Sequence, residues 1–351
     1  MKVGVFDHMD QSGLPADRHY EDRLRLIEAY DAAGIYAYHV AEHHATPLGS
    51  SPSPGIFLSA VAQRTRRLKF GPLVYPLPLY HPLRLVEEIS MLDQLSGGRY
   101  QVGIGKGASP FETSYYGTNP EEVGAIFEES LSVLRQGLSG QPINHTGTHY
   151  RFDNVDLGLK PLQVPHPPFW YGVTVPQGAV WTARAGINIV CNLPAERMRP
   201  ITDRYRQEWA AAGGAPDAIP LMGMNRYLSI APTEAEAMAR GRRAYQLWHD
   251  HFWYLWRKHD AVPAFTAYPE NFDEAVHQGY ALAGTPEQVS RALNAQLDVS
   301  GSNYLIVRFA FGDLSLAESL ETLDLFARHI LPGVARRNDN AASRLFEPAD
   351  A

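Results

Sequence analysis

Cysteine, clustered basic residues and long apolar runs are all scarce in this sequence. A single cysteine, Cys191, excludes an internal disulfide framework and fits a reducing compartment. The 351 residues carry 31 basic and 38 acidic side chains, a net charge of −7 without any basic run, which argues against nucleic acid or an anionic membrane as a partner. No apolar stretch is long enough to span a bilayer, and the chain opens on a strand-like MKVGVF rather than an apolar signal core. We therefore expect a cytoplasmic protein.

One stretch, from Arg67 to Gly107, shows how the chain is organised. An apolar run at Leu68–Tyr75 is followed by Leu83–Leu95, whose apolar residues recur with the 3.6-residue period of a helix. A second apolar run follows at Tyr100–Ile104. A crossover of this length makes the two flanking strands parallel, so the stretch predicts a βαβ unit.

The same pattern recurs along the chain and predicts eight strands, nearly all followed by a helix. The predicted strands are residues 2–6, 35–40, 68–75, 100–104, 168–173, 187–191, 221–231 and 303–309. They indicate a (β/α)8 TIM barrel with insertions after strands four and seven. A long loop at 106–119 follows strand four. The first insertion includes a hairpin or loop excursion at 140–167, and the second includes a lid-like stretch at 261–279.

The rival fold is an open doubly wound sheet. It is less favoured because no GxGxxG motif follows the first strand. We expect residues 1–332 to form a single domain and residues 333–351 to form a polar, loose tail.

Reacting groups of a TIM barrel come from the carboxyl ends of its strands. The second predicted strand delivers Glu42, His43 and His44 to such an end. A histidine there suits proton transfer, whereas a metal site is less favoured because adjacent residues on a turn point apart and no third ligand has metal spacing. The alternative is a pair of polar residues that are merely satisfied by hydrogen bonds.

Two further strand ends have features of an anion site. After strand four, GIGKG places Lys106 among glycines that allow a ligand to approach the backbone closely, although such glycines can also serve only the bend. After strand five, the turn at 173–179 leads into a helix whose free N–H groups favour an anion. Any βα turn with Thr and Gly has this appearance, so the second feature alone is weak.

Four collinear motifs give the chain a resemblance to a known family. They are PLYHPLRLVEE with DQLSGGRYQVGIGKG (78–88 and 93–107), AEHH (41–44), PLQVPHPPFWYGVTVPQGAVWTARAG (161–186) and AGTPEQVSRAL (283–293). In this order they resemble the bacterial luciferase-like flavin-dependent monooxygenases, from residue 1 to about residue 332. The resemblance implies the TIM barrel as well.

The resemblance also assigns roles near the flavin ring. It implies His43 as the catalytic base or hydrogen-bond partner, with His44 and Glu42 shaping the pocket or orienting His43. Leu73 and Val74 align with a position that can hold a non-prolyl cis peptide under the isoalloxazine ring.

At the phosphate of FMN the chain departs from the family pattern in two places. Lys106, beside Gly105, stands where many members have an arginine, so it supplies charge without a bidentate fork. Thr174 and Val175 stand where a Ser-Ser or Glu-Ser pair is common. Only Thr174 has a hydroxyl, so phosphate binding would depend on backbone N–H groups, including that of Gly178, on Gln177 and on Lys106.

The activity that the resemblance implies is that of a two-component monooxygenase. Reduced FMN (FMNH2) from a separate NAD(P)H-dependent flavin reductase would react with O2, and the resulting C4a-peroxyflavin would oxygenate a small apolar organic substrate such as an aldehyde or ketone. A homodimer is the habit of the family. The rivals are an F420-dependent oxidoreductase on the same barrel, a non-catalytic flavin-binding relative or helper subunit, and a metal-dependent barrel hydrolase, for which too few ligands are found.

Overall fold

The structure, a computed structural model, describes residues 1–107, 109–263 and 268–337. In these ranges the strands are β1 Lys2–Asp7, β2 Ala37–Val40, β3 Lys69–Pro72, β4 Tyr75–Pro76, β5 Val102–Gly105, β6 Ile143–Thr146, β7 Arg151–Val155, β8 Phe169–Gly172, β9 Asn188–Cys191, β10 Met222–Ile230, β11 Ala281–Gly284 and β12 Tyr304–Arg308. The α-helices are α1 Ala16–Ala32, α2 Pro54–Arg64, α3 Pro82–Ser96, α4 Pro110–Tyr115, α5 Val123–Leu138, α6 Pro176–Arg184, α7 Ala195–Ala211, α8 Glu234–Lys258, α9 Phe272–His277, α10 Pro286–Ser300, α11 Leu316–His329 and α12 Leu331–Ala335.

The eight predicted strands are present and form one ring of parallel strands in chain order. Hydrogen-bonded neighbours run β3, β2, β1, β12, β10, β9, β8 and β5, and β4 pairs with β5 from the other side. The ring closes where a bridge joins Phe70 of β3 to Tyr100, just before β5. The predicted strand 68–75 is therefore divided into β3 and β4, and the predicted TIM barrel is confirmed.

The lower part of the barrel is filled by side chains and is not a channel. Phe6, Trp170, Tyr304 and Ile306 pack together inside the ring. The hydroxyl of Tyr304 occupies the place that a side chain at Gly4 would need, since a Cβ there would lie 1.8 Å from its oxygen. This filled interior leaves space only at the carboxyl ends of the strands.

The two predicted insertions are present, and the sequence missed part of their structure. Strands β6 and β7 form the expected hairpin. The loop predicted at 106–119 contains α4, and the lid-like stretch 261–279 contains α9, while its residues 264–267 lie outside the described ones. Strand β11, four small or apolar residues, was also not predicted; it pairs with the end of β10 outside the ring. These segments are too short for a clear period.

The first residues of the predicted tail belong to the folded part of the chain. Residues 331–335 form α12, where Val334 is buried, and the amino group of Met1 donates hydrogen bonds to the carbonyls of Ala335 and Arg337. Residues 338–351 of the predicted tail lie outside the described residues. No helix in the described ranges combines the length and the apolar character needed to cross a bilayer.

Asp93, in the DQLSGG motif, anchors the first insertion to the barrel wall. It is fully buried in α3, and its carboxylate accepts hydrogen bonds from the backbone N–H groups of Leu162 and Gln163, at 2.7 and 2.8 Å. The side-chain amide of Gln163 donates a third bond at 2.6 Å. Gln163 also donates to the carbonyl of Tyr100, so the segment that leads into β8 is held against β5.

We expect Asp93→Ala to lower the free energy of unfolding by about 2–4 kcal/mol, because three donors would lose a buried charged acceptor. Chemical denaturation of both proteins measures the difference. Asp156→Ala in the same insertion is the matched control; its carboxylate is exposed beside Lys160, so its effect should stay within about 0.5 kcal/mol. Equal effects of the two substitutions would remove the anchoring role of Asp93.

Candidate active site at the mouth of the barrel

A cavity of about 260 Å³ opens at the carboxyl ends of the barrel strands. Its apolar side includes Leu73, Val74 and Val190, and its polar side includes His8 and His43. Residues that follow β1, β2, β8 and β9 all contribute to the wall, as the parallel ring requires. This is the place where a TIM barrel positions its chemistry.

The carboxylate of Glu112 holds the loop that carries the two adjacent histidines. One oxygen accepts the backbone N–H of His44 at 2.9 Å, and the other lies 3.1 Å from Nδ1 of His43. A carboxylate only accepts here, so Nδ1 of His43 is the donor, and in the neutral ring Nε2 carries the lone pair. Nε2 has no partner among the described residues, and the ring lines the cavity. The arrangement suits His43 for accepting a proton from a ligand.

His44 points away from the cavity into a second set of hydrogen bonds. Its Nε2 lies 2.9 Å from an oxygen of Glu42, and its Nδ1 lies 2.8 Å from the hydroxyl of Tyr116. The other oxygen of Glu42 accepts from the hydroxyl of Tyr80 at 2.6 Å. Burial raises the pKa of Glu42, and the bonds from His44 and Tyr80 partly offset this rise. Glu42 also reaches the cavity wall, whereas His44 does not line it.

A second histidine stands beside His43. The ring of His8, just after β1, has its centre 5.6 Å from that of His43. Burial, and then the positive charge of Arg308, holds the pKa of His8 well below its ordinary value. His8 is therefore a neutral side chain in the cavity wall.

The apolar wall is formed where β3 passes into β4. The peptide between Leu73 and Val74 is cis, and both side chains line the cavity. Gly105 lies directly behind them, since a Cβ there would come within 2.4 Å of a methyl group of Val74. Gly105 thus supports this wall and is not itself part of the lining.

Lys106 and the turn before α6 lie on one side of the cavity. The ammonium group of Lys106 is 5.7 Å from the centre of the Phe127 ring. That ring centre lies 5.9 Å from the ring centre of Tyr171 and 6.4 Å from that of Trp181. Trp181 belongs to α6, so the cation and the start of that helix share a side of the barrel. Lys106 is exposed and does not line the cavity.

The turn before α6 is open to a ligand. Thr174, Val175 and Gln177 are exposed, Gly178 is half-buried, and only Thr174 of these lines the cavity. Val175 at the N-cap position has no side chain that could cap the helix, Pro176 has no N–H, and the N–H of Gly178 donates to the carbonyl of Val175 at 3.0 Å. The N–H of Gln177 and the helix dipole are therefore what the start of α6 offers to a ligand. A cation and an uncapped helix start together suit an anionic group.

Several side chains of this site were not singled out from the sequence. Glu112 lies in a stretch predicted as a loop, and nothing in its spacing indicates a contact with His43. Asn192 and Arg308 could have been found, because each, like His8, lies at or just beyond the carboxyl end of a ring strand, whereas Asn225 lies in the middle of β10. No cluster of three metal-ligating side chains occurs in the described ranges.

Comparison with known proteins agrees with this geometry. The sequence model for the luciferase-like monooxygenases matches residues 1–302. The uncharacterized protein y4wF of Sinorhizobium fredii is 43% identical over 92% of this chain and 94% of its own. The oxygenase component of the flavin-dependent trigonelline monooxygenase of Acinetobacter baylyi is 27% identical over 54% of this chain and 53% of its own.

Solved structures extend the comparison. The monooxygenase RslO1 of Streptomyces bottropensis has a TM-score of 0.85 at 28% identity, covering 95% of this chain and 99% of its own. Two neighbours share the fold at lower identity, each covering 95% of this chain. The FMN complex of 3,6-diketocamphane monooxygenase from Pseudomonas putida (98% of its chain covered) has a TM-score of 0.79 at 20%. The F420-dependent tetrahydromethanopterin reductase of Methanopyrus kandleri (99% covered) has 0.70 at 18%. The chain belongs to the luciferase-like monooxygenase family.

Proposed function

We propose that this protein is the oxygenase of a two-component system that uses FMNH2 and O2 to oxygenate a small apolar organic molecule. The observation that carries the proposal is His43, oriented by Glu112, with Nε2 free in a cavity whose opposite wall is apolar. A trigonelline relative named as an oxygenase component supports a separate flavin reductase as the source of FMNH2. The homodimer expected from the resemblance stays a prediction.

The cavity suits the two ends of FMN. Leu73 and Val74 offer an apolar surface for a planar ring, and the uncapped start of α6 with Lys106 offers an anion site for the phosphate. In the turn, Thr174 would offer its hydroxyl, Val175 its backbone N–H, and Gln177 its backbone N–H and side-chain amide. The N–H of Gly178 already donates to the carbonyl of Val175, so Gly178 would contribute only the open backbone beside them. These residues would hold the cofactor, and Gly105 would support the apolar wall.

Reduced flavin, when bound, would activate O2 and supply one oxygen atom to the substrate. The protein would contribute a proton acceptor or donor at Nε2 of His43, since Glu112 fixes its ring and stabilises the charge that forms when Nε2 takes a proton. Glu42 and His44 would hold the loop in place through Tyr80 and Tyr116. Buried apolar walls would keep water away from the reacting atoms.

An anaerobic titration tests the proposed function against hydride transfer with F420. The protein is titrated with photoreduced FMN and, in parallel, with reduced F420, and is then mixed rapidly with aerated buffer. We expect FMNH2 to bind and the mixing to produce a transient absorbance that differs from those of reduced and oxidised flavin. Tight binding of reduced F420 alone, without any transient, would contradict the proposal.

His43→Ala should lower oxygenation of a cyclic ketone that the wild type accepts by about 10²-fold or more, the usual effect of losing an acid–base group. Affinity for FMNH2 should stay within about tenfold, because the other wall and the anion site are unchanged. The matched control is His145→Ala, which breaks a similar histidine–glutamate pair (3.2 Å to Glu129) in the distant hairpin. An unchanged rate for His43→Ala would remove it from the chemistry.

Lys106→Ala should weaken FMN binding by about tenfold while leaving riboflavin, which has no phosphate, almost unaffected. Fluorescence titration with both flavins measures the two affinities. Lys160→Ala, an exposed lysine in the insertion, serves as the control. Equal weakening of both flavins would place Lys106 away from the phosphate.

A further inference from the structure

Arg308, the last residue of β12, is a buried cation at the base of the cavity wall. Only 2% of it is exposed, and its guanidinium lies 4.2 Å from the ring centre of Tyr227 and 4.7 Å from that of Phe6. Within the described residues no carboxylate pairs with it. It donates instead to neutral acceptors: Nδ1 of His8 at 3.3 Å, Oδ1 of Asn225 at 3.4 Å, and the hydroxyl of Tyr227.

The partners of His8 determine where its proton lies. Besides Arg308, the indole N–H of Trp248 in α8 reaches Nδ1 of His8 at 3.1 Å. Arginine and tryptophan side chains can only donate, so Nδ1 must accept and cannot carry a proton. The neutral ring therefore carries its proton on Nε2, which has no partner among the described residues, while the ring lines the cavity.

The two histidines of the cavity are thus held in opposite tautomers. Glu112 can only accept from Nδ1 of His43, which leaves Nε2 of His43 as an acceptor. His8, 5.6 Å away between ring centres, presents an N–H donor instead. A ligand in the cavity meets one acceptor and one donor from two side chains of the same type.

Arg308 orients a pair of amides in the same way. Because it donates to Oδ1 of Asn225, the Nδ2 group of Asn225 is directed to Oδ1 of Asn192, at 2.8 Å. Asn192 lines the cavity with its own Nδ2 group unpaired among the described residues. Because the guanidinium of Arg308 can only donate hydrogen bonds, it fixes the orientation of both amides.

We propose that Arg308 is a positioning residue that makes this end of the cavity a carbonyl-binding subsite, with Nε2–H of His8 and Nδ2–H of Asn192 as its donors. The ligand oxygen belongs either to the flavin ring or to a ketone substrate. The inference rests on the proposed function only for this choice of source. The two donor orientations follow from the protein alone.

Histidine tautomers can be measured directly in the ligand-free, full-length protein. With 15N in histidine only, long-range proton–nitrogen NMR spectra are recorded between about pH 5 and pH 8, and the signal missing from His8→Gln is assigned to His8. We expect one neutral form, protonated at Nε2, throughout. An imidazolium or an Nδ1-protonated form of His8 would overturn the proposal, whether or not flavin binds.

Substitutions at Arg308 and Trp248 test the positioning role. Arg308→Met should raise the pKa of His8, because a nearby like charge and a donor to Nδ1 are lost, although burial still holds it down. Arg308→Lys should restore much of the wild-type behaviour. Trp248→Phe, which keeps the aromatic ring, covers the case in which Arg308→Met does not fold; it should leave His8 protonated at Nε2, because Arg308 still donates to Nδ1. Trp253→Phe in the same helix removes an indole N–H that has no hydrogen-bond partner among the described residues and should change nothing. A mixture of neutral tautomers in Trp248→Phe, or an unchanged His8 signal in a folded Arg308→Met, would overturn the role.

Ligand titrations identify the source of the carbonyl. Saturating FMN, a small cyclic ketone and the matched cyclic hydrocarbon are added separately, and the Nε2 signal of His8 is followed. A shift with FMN assigns the oxygen to the flavin, and a shift with the ketone but not the hydrocarbon assigns it to the substrate. Asn192→Leu should then weaken the effective ligand about two- to tenfold. No shift with any of the three would overturn the subsite.

Discussion

Closure of eight parallel strands in chain order is the constraint on which the site depends. Because every strand runs in the same direction, all carboxyl ends meet at one mouth, and residues as distant in the chain as His8 and Arg308 come within 3.3 Å of each other. The interior below is filled by Phe6, Trp170 and Tyr304. A ligand can therefore enter only at this mouth, and the loops and insertions above it decide which ligand fits.

Within that mouth, side chains that can only donate or only accept a hydrogen bond determine the tautomers of the histidines, which can do both. Glu112 accepts from two points of the 42–44 loop and so orients His43, while Trp248 and Arg308 donate to His8 and give it the opposite tautomer. Because these hydrogen bonds are already formed in a buried setting, the side chains need little reorganisation when a ligand binds. His43 therefore presents a hydrogen-bond acceptor to the cavity, and His8 presents a donor.

Much of the fold could be predicted from the sequence, and less of the site. Buried parallel strands give continuous apolar runs, and amphipathic helices give a 3.6-residue period, so the eight ring strands were recognisable. Strand β11 and helices α4 and α9 have four to six residues and show no period. His43 was predicted because it follows a strand in a recognisable motif. The role of Glu112 could not be predicted, because its contact with His43 spans 69 residues and arises only from the packing of α4 over the mouth.

The central claim is that the cavity at the barrel mouth is the flavin site, and a crystal structure with bound FMN tests it most directly. We expect the isoalloxazine ring to lie against Leu73 and Val74, with His43 and His8 at its edge. The phosphate should lie at the turn from Thr174 to Gly178 within reach of Lys106. A flavin bound elsewhere on the barrel, or with its phosphate on the opposite side of the mouth from α6, would contradict the account.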